Sequence, residues 1–180
     1  MQIIPIDSEN NLFRVEDLLT QDLVEQVLAT DWLNTPWQRQ EGQENWARRR
    51  LKNSALPWTD QWDQQLSQVW NDIAKAVGVE LRPYYGGTGF WLDEPGFICG
   101  IHTDGEMPGS LHMTWIGPGT TFYWHKDPST LRYQVASSPN SGYIMINCAD
   151  ETGYRKLLWH AMLTPVENFR ITSYTWITPK

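Results

Sequence analysis

From residue 59 to 77 the apolar side chains recur at helical spacing: Trp62, Leu66, Val69, Trp70, Ile73, Ala74 and Val77 form one stripe, with Asp, Gln and Lys opposite. The spacing predicts a helix from about Thr59 to Val77, with Thr59 as N-cap and Gly78 in the left-handed position after the last turn. A stripe on one side only packs on the outside of a sheet, so these aromatics read as core. A shorter helix is predicted from Thr20, as N-cap, to about Ala29, with Asp22 in its first turn and Leu23, Val27 and Leu28 facing inward. Residues 2–6 and 11–15 read as short strands. Residues 32–58 hold Pro36, Pro57 and a polar stretch from Gln38 to Asn45, and read as strand, loop, strand.

After Gly78 the period changes. Runs rich in β-branched and aromatic residues alternate with Gly and Pro turns at 79–85, 88–93, 97–102, 110–116, 120–124, 131–135, 142–147, 155–162 and 168–178. So many short strands predict a mainly β protein, a sandwich or an antiparallel roll. Within 110–116, period-two alternation sets Leu111, Met113 and Trp115 on one face and His112, Thr114 and Ile116 on the other. No internal repeat interrupts the pattern, and 180 residues suffice for one domain with a core of its own.

Charge narrows the function classes. A net charge of -7 and a pI near 5.0 argue against a nucleic-acid partner, which needs a broad cationic surface. The run Arg48-Arg49-Arg50 reads as an exposed, solvated or strand-borne cluster answering Glu41 and Glu44. Cys99 and Cys148, far apart and in no ligand spacing, read as free buried thiols of a reducing compartment. With no signal-like N-terminus and no span-length apolar run, a cytoplasmic protein without a membrane partner is expected. The eleven tryptophans suit cores and recognition surfaces alike, and most read as core.

The chemistry concentrates in Ile101-His102-Thr103-Asp104-Gly105, taken with His160 and Arg170. On an extended strand His102 and Asp104 share a face, where imidazole and carboxylate converge on one metal ion. With His160 they make two histidines and one carboxylate, the set that holds non-haem Fe(II) with positions left open. Arg170 and Thr172 share a strand face in turn, and a guanidinium beside a hydroxyl suits a carboxylate. Asp104-Gly105 also has the composition of a plain turn. A rival pair, His125-Lys126-Asp127, runs into the turn Asp127-Pro128-Ser129, so His125 reads as a loop residue near the cavity mouth.

This ordered set, together with Pro95-Gly96, Gly100-Ile101-His102, Leu111-His112-Met113-Thr114-Trp115 and Gly119-Thr120-Thr121-Phe122-Tyr123, resembles the Fe(II)- and 2-oxoglutarate-dependent dioxygenases, in particular their prolyl-4-hydroxylase-like branch. The likeness runs from about residue 80 to 178. It implies a double-stranded β-helix (jelly roll) in one domain, 1–180, with residues 1–78 as helical and strand support and 79–180 as the core. It also implies Fe(II) on His102, Asp104 and His160, and 2-oxoglutarate with its C5 carboxylate on Arg170 and Thr172. Dioxygen is the further co-substrate and ascorbate a support. Where family members often carry a tyrosine before the Pro-Gly, this chain has Trp91-Leu92-Asp93-Glu94, and Tyr123 is the substitute co-substrate contact. Trp91, Tyr84, Tyr85, His112 and His125 are the candidate substrate residues. The retained Asp104 favours hydroxylation over halogenation. A protein or peptide residue is the implied substrate. A free amino acid or other small metabolite is the alternative, and a non-catalytic, cupin-like metal- or ligand-binding protein is another. Neither the residues nor the resemblance assigns an oligomeric state.

Overall fold

A computed structural model of the chain describes residues 1–39, 47–52, 56–78, 83–104, 108–117, 120–124, 129–136, 138–146, 149–150, 153–154 and 159–179. In chain order the elements are β1 (Gln2–Asp7), β2 (Leu12–Glu16), α1 (Gln21–Ala29), β3 (Arg48–Lys52), α2 (Thr59–Val77), β4 (Pro83–Asp93) and β5 (Cys99–His102). There follow β6 (Gly109–Ile116), β7 (Thr120–Trp124), β8 (Leu131–Ala136), β9 (Ser141–Ile146), β10 (Ala149–Asp150), β11 (Gly153–Tyr154), β12 (Trp159–Met162) and β13 (Arg170–Pro179). A seven-stranded sheet has the order β1-β2-β9-β6-β13-β4-β3, and a four-stranded sheet the order β5-β12-β7-β8. The pairings in both are antiparallel, giving a mostly β, jelly-roll-like architecture. No described helix is long and apolar enough to cross a membrane.

The long helix forms over the predicted span because its stripe has somewhere to go. Trp62, Leu66, Val69, Trp70, Ile73 and Ala74 are buried, the first five in one cluster with Phe90, Leu111, Trp115 and Ile171 of the large sheet. The Trp62 ring lies 5.0 Å from Phe90 and 5.6 Å from Trp115, while its indole N–H donates to Thr88 Oγ1 at 2.9 Å. The buried donor is thereby satisfied inside an apolar layer. Gly78 closes the helix at φ 68, as its spacing predicts. At the other end Trp58, not Thr59, holds the N-cap, because the Thr59 hydroxyl donates back to the Leu56 carbonyl at 2.8 Å. Helix α1 buries Leu23, Val24 and Val27, whereas Leu28 is 42% exposed, so Val24 takes the inward place expected of Leu28.

Alternation gives the large sheet two unlike faces. Leu111, Met113 and Trp115 of β6, Phe90 and Leu92 of β4, and Ile171 and Ile177 of β13 join the helix-side core. His112 and Thr114, Trp91, Thr172 and Tyr174 line a cavity between the two sheets. The segments 79–85 and 88–93 expected as separate strands are joined in β4. Gly87, at φ 137, carries the chain through the register shift opposite Trp176 and Ile177 instead of ending the strand. Of the strand expected at 155–162 only β12 lies within the described residues, and 79–82 lie outside them. Gly142 is required for close approach: a Cβ there would stand 2.0 Å from the His112 carbonyl oxygen.

Candidate metal centre and its cavity

β5 and β12 are neighbours, and His102 and His160 are register partners with ring centroids 4.4 Å apart. β5 ends at His102, so Asp104 lies just beyond the strand rather than on it, and its carboxylate returns between the imidazoles. Asp104 Oδ1 is 3.5 Å from His102 Nε2, and Oδ2 is 3.4 Å from His160 Nε2. One ligand atom from each of the three lies within 4.8 Å of the others. Two ligands at right angles on one ion, each about 2.1 Å away, are themselves about 3 Å apart, so the donor set fits a single first-row cation with little adjustment.

The tautomer is prepared as well. His102 Nδ1 lies 2.8 Å from the Gly100 carbonyl, so Nδ1–H donates there and Nε2 is the nitrogen turned to Asp104. The hydrogen bond with Asp104 pushes His102 up to about 10, with the neighbouring Cys99 adding to the shift. Burial alone raises the Asp104 pKa, but the hydrogen bonds with His102 and His112 and the charge of the imidazoles hold it well below the ordinary carboxylate range. A divalent cation takes the anionic carboxylate directly and would displace the proton that Asp104 holds on the His102 ring, because only the neutral imidazole ligates.

His112 is closer to this cluster than its sequence context suggests. Its Nε2 lies 3.0 Å from Asp104 Oδ2, while its ring stacks on Tyr143 at 4.7 Å and meets the Tyr174 edge-on at 4.6 Å. It is not a member of the three-ligand set; it holds the carboxylate oxygen that also lies nearest His160. The Tyr174 phenol is pushed above its usual value by burial first and by the Asp104 charge second, so it stays protonated beside the cluster. Period-two spacing in β6 put His112 on the cavity face. That Asp104 passes under it depends on the path of the chain after β5, which no local pattern records.

The cavity, about 340 Å³, has His102, Asp104 and His160 in its wall together with Arg48, Trp91 and Thr172. Arg170 is placed differently from what its spacing suggested. It is fully buried, it is not among the cavity's described lining residues, and it is bound to Asp93, also fully buried. Arg170 Nε donates to Asp93 Oδ2 at 2.9 Å, with Nη2 at 2.8 Å from the same oxygen. The argument that its burial calls for a ligand carboxylate is therefore corrected: its register partner on β4 is an internal anion. The same aspartate receives Arg48 Nε at 2.5 Å on Oδ1 and Arg48 Nη2 at 3.2 Å on Oδ2.

The arginine run is strand-borne, as read, on β3. Its described carboxylate partners are not Glu41 and Glu44, which lie outside the described residues, but Asp93 for Arg48 and Glu94 for Arg49, the latter at 2.5 Å. Arg39 joins Glu94 at 3.0 Å. The guanidiniums of Arg48 and Arg50 lie 4.9 and 5.5 Å from the Trp91 ring. Tyr84 and Tyr85 belong to β4, and Tyr123 to β7 opposite His160 in register, but their side chains lie outside the described set. His125 and the rival Asp127 lie outside the described residues, as does Cys148. Cys99 is a free thiol, 3.7 Å from His102 Nδ1.

No family model matches the sequence, and no curated protein matches it either. Solved structures do. The viral collagen prolyl hydroxylase of Paramecium Bursaria Chlorella virus-1, in a 2-oxoglutarate complex, has a TM-score of 0.68 at 13% identity, over 98% of this chain and 100% of that one. A Pseudomonas putida prolyl-4-hydroxylase gives 0.66 at 14% identity, over 95% and 94%. A Trichoplax adhaerens prolyl hydroxylase in complex with a hypoxia inducible factor oxygen degradation domain peptide fragment gives 0.64 at 9%, over 94% and 84%. Along nearly its whole length, this chain has the fold of the prolyl hydroxylases.

Proposed function

We propose that the chain is an Fe(II)- and 2-oxoglutarate-dependent dioxygenase that hydroxylates a C–H bond and releases succinate and CO2. The observation that carries this reading is the convergence of His102, Asp104 and His160 in the wall of a cavity between two antiparallel sheets. On this reading residues 79–180 form a double-stranded β-helix, with the helices of residues 1–78 against its larger sheet, in one domain.

Iron and the 2-oxoacid supply the oxidising chemistry. The chain's own residues position it. His102 and His160 would hold the ion, with the Gly100 carbonyl fixing the ring of His102. Asp104 supplies the charge, and His112 fixes the direction of its carboxylate. Thr172 offers a hydroxyl in the cavity wall, and Trp91 gives an apolar surface against which a substrate can lie. The helix-side apolar core closes the far face of the larger sheet to water.

A residue of a protein or peptide is the substrate this reading favours. The supports are the prolyl-hydroxylase fold and the peptide bound by the Trichoplax adhaerens neighbour. The test is succinate formation from 2-oxoglutarate with Fe(II) and ascorbate, first without and then with a panel of proline-containing peptides and free amino acids. Wild type is expected to turn over slowly alone and faster with its substrate, and Asp104→Ala and His160→Ala to fall to background. No succinate under any of these conditions, with a correctly folded and metal-loaded chain, refutes the proposal in favour of a ligand-binding roll.

A further inference from the structure

The three arginines of β3 are not held alike. Among the described residues Arg48 is bound to Asp93, and Arg49 and Arg39 to Glu94, while Arg50 has no carboxylate and its Nε is a buried donor without an acceptor. Its backbone is fixed on both sides: Trp91 is its register partner on β4, and Gln38 exchanges two hydrogen bonds with it, at 2.7 and 2.9 Å. Period two sets Arg50 on the strand face of Arg48, and its guanidinium lies 5.5 Å from the centre of the Trp91 ring.

The guanidinium reaches toward Gly89. A Cβ there would stand 3.5 Å from Arg50 Nε, 3.8 Å from Arg50 Nη2 and 3.6 Å from Trp91 Nε1. Three nitrogens, all of them donors, therefore gather over a residue with no side chain to fill the space. No described group accepts from the Trp91 indole N–H either. Donors brought together without an acceptor form a site for an anion. In register, Gly89 and Trp91 stand opposite Tyr174 and Thr172, and Trp91, Tyr174 and Thr172 line the metal cavity. The donors thus adjoin the cavity, while Arg50 is not among its described lining residues.

We infer that Arg50 and Trp91 select the substrate, by binding an acidic side chain of a peptide, an aspartate or glutamate that flanks the residue held in the cavity. The inference rests on the proposed function for the substrate being a peptide. The guanidinium takes the carboxylate, and the indole N–H makes a second contact on the same anion. Gly89 keeps the approach open. A chain of net charge -7 repels an acidic peptide at long range, so a preference for one has to come from a local contact of this kind.

Two end-blocked peptides test this by isothermal calorimetry on the full chain loaded with Mn(II) and 2-oxoglutarate, one of alternating proline and glutamate and one of alternating proline and glutamine. Wild type is expected to bind the glutamate peptide about tenfold more tightly, the effect of one charge-assisted hydrogen bond. Arg50→Gln is expected to bring the two within about threefold by weakening the glutamate peptide alone. Gly89→Ala changes no charge, puts a methyl in ordinary contact with the three nitrogens, and is expected to do the same by filling the approach. Arg14→Gln, which removes an arginine paired with Glu16 on β2, is expected to behave as wild type. Equal binding of the two peptides by wild type, binding of neither, or a preference that survives in Arg50→Gln or Gly89→Ala overturns the inference. Succinate formation with Fe(II) separates it from the proposed function. A glutamate preference lost in Arg50→Gln upholds the site even where no succinate forms, and succinate formed equally with both peptides upholds the dioxygenase and overturns the site.

Discussion

Replacing Asp93 with Asn keeps the shape of the buried side chain and removes its charge. In the native protein its two carboxylate oxygens receive Arg170 at 2.8 and 2.9 Å and Arg48 at 2.5 and 3.2 Å, and neither Asp93 nor Arg170 has any exposed side-chain surface. Breaking a buried pair from one side strands the other charge, a loss of about 3–5 kcal/mol. A domain of this length shifts by about 2–4 °C per kcal/mol, so the melting temperature should fall by about 6–20 °C. Urea denaturation followed by tryptophan fluorescence, with the slope unchanged, measures the same quantity. The double variant Asp93→Asn/Arg170→Met removes the stranded charge and should recover most of the loss. A single variant less than about 1 kcal/mol weaker than wild type would show that Arg170 finds its charge balance elsewhere, and would return it to candidacy as the co-substrate residue.

Three further outcomes follow from the geometry. His112→Phe keeps a ring against Tyr143 but loses the contact to Asp104, so Mn(II) affinity by calorimetry should fall about 10–100-fold, and an unchanged affinity would remove His112 from the site. Gly142→Ala places a methyl 2.0 Å from the His112 carbonyl oxygen, forcing β6 from β9, and should lower the unfolding free energy from urea denaturation by about 3 kcal/mol; a loss under about 1 kcal/mol would mean the strands part freely. Burial alone pushes the Glu94 pKa up, but Arg39 and Arg49 outweigh it and hold it below the ordinary glutamate value of 4.5. Its folded-state pKa being depressed, the stability it contributes is present above pH 4.5 and lost as pH falls through the lower folded value. Glu94→Gln should therefore be less stable than wild type at pH 7, by no more than about 1 kcal/mol, with the gap closing in acid; a gap that widens in acid would contradict the sign.

How much of this was legible in the sequence depends on range. Helix α2 could be read from residues 59–77 because a stripe sustained over many turns leaves little freedom, and the error at Thr59 is a single hydroxyl turned backward to Leu56. The set His102, Asp104 and His160 was legible because metal ligation restricts residue type severely, so three such side chains in order carry information that three leucines would not. The partner of Arg170 was not legible: Asp93 lies 77 residues away, and only the register of β4 against β13 brings them together. For the same reason Arg48 looked like part of a solvated charge run. Its neighbours Arg49 and Leu51 point to the other side of β3, and no local pattern shows which face of an edge strand looks into a cavity. Gly87 marked a break in the pattern, and the structure uses it as a bend within one strand.

His102 stands directly opposite His160, each on a separate short strand. If β5 slid by a single residue along β12, Ile101 would take the place of one imidazole and the pair of nitrogens would point to opposite sides of the sheet. An ion that binds only the correctly aligned strands adds its binding free energy to that alignment and to no other, about 2.7 kcal/mol at a hundredfold excess over its dissociation constant. A metal held by both histidines would then favour one strand alignment during folding, beyond any chemistry it supplies.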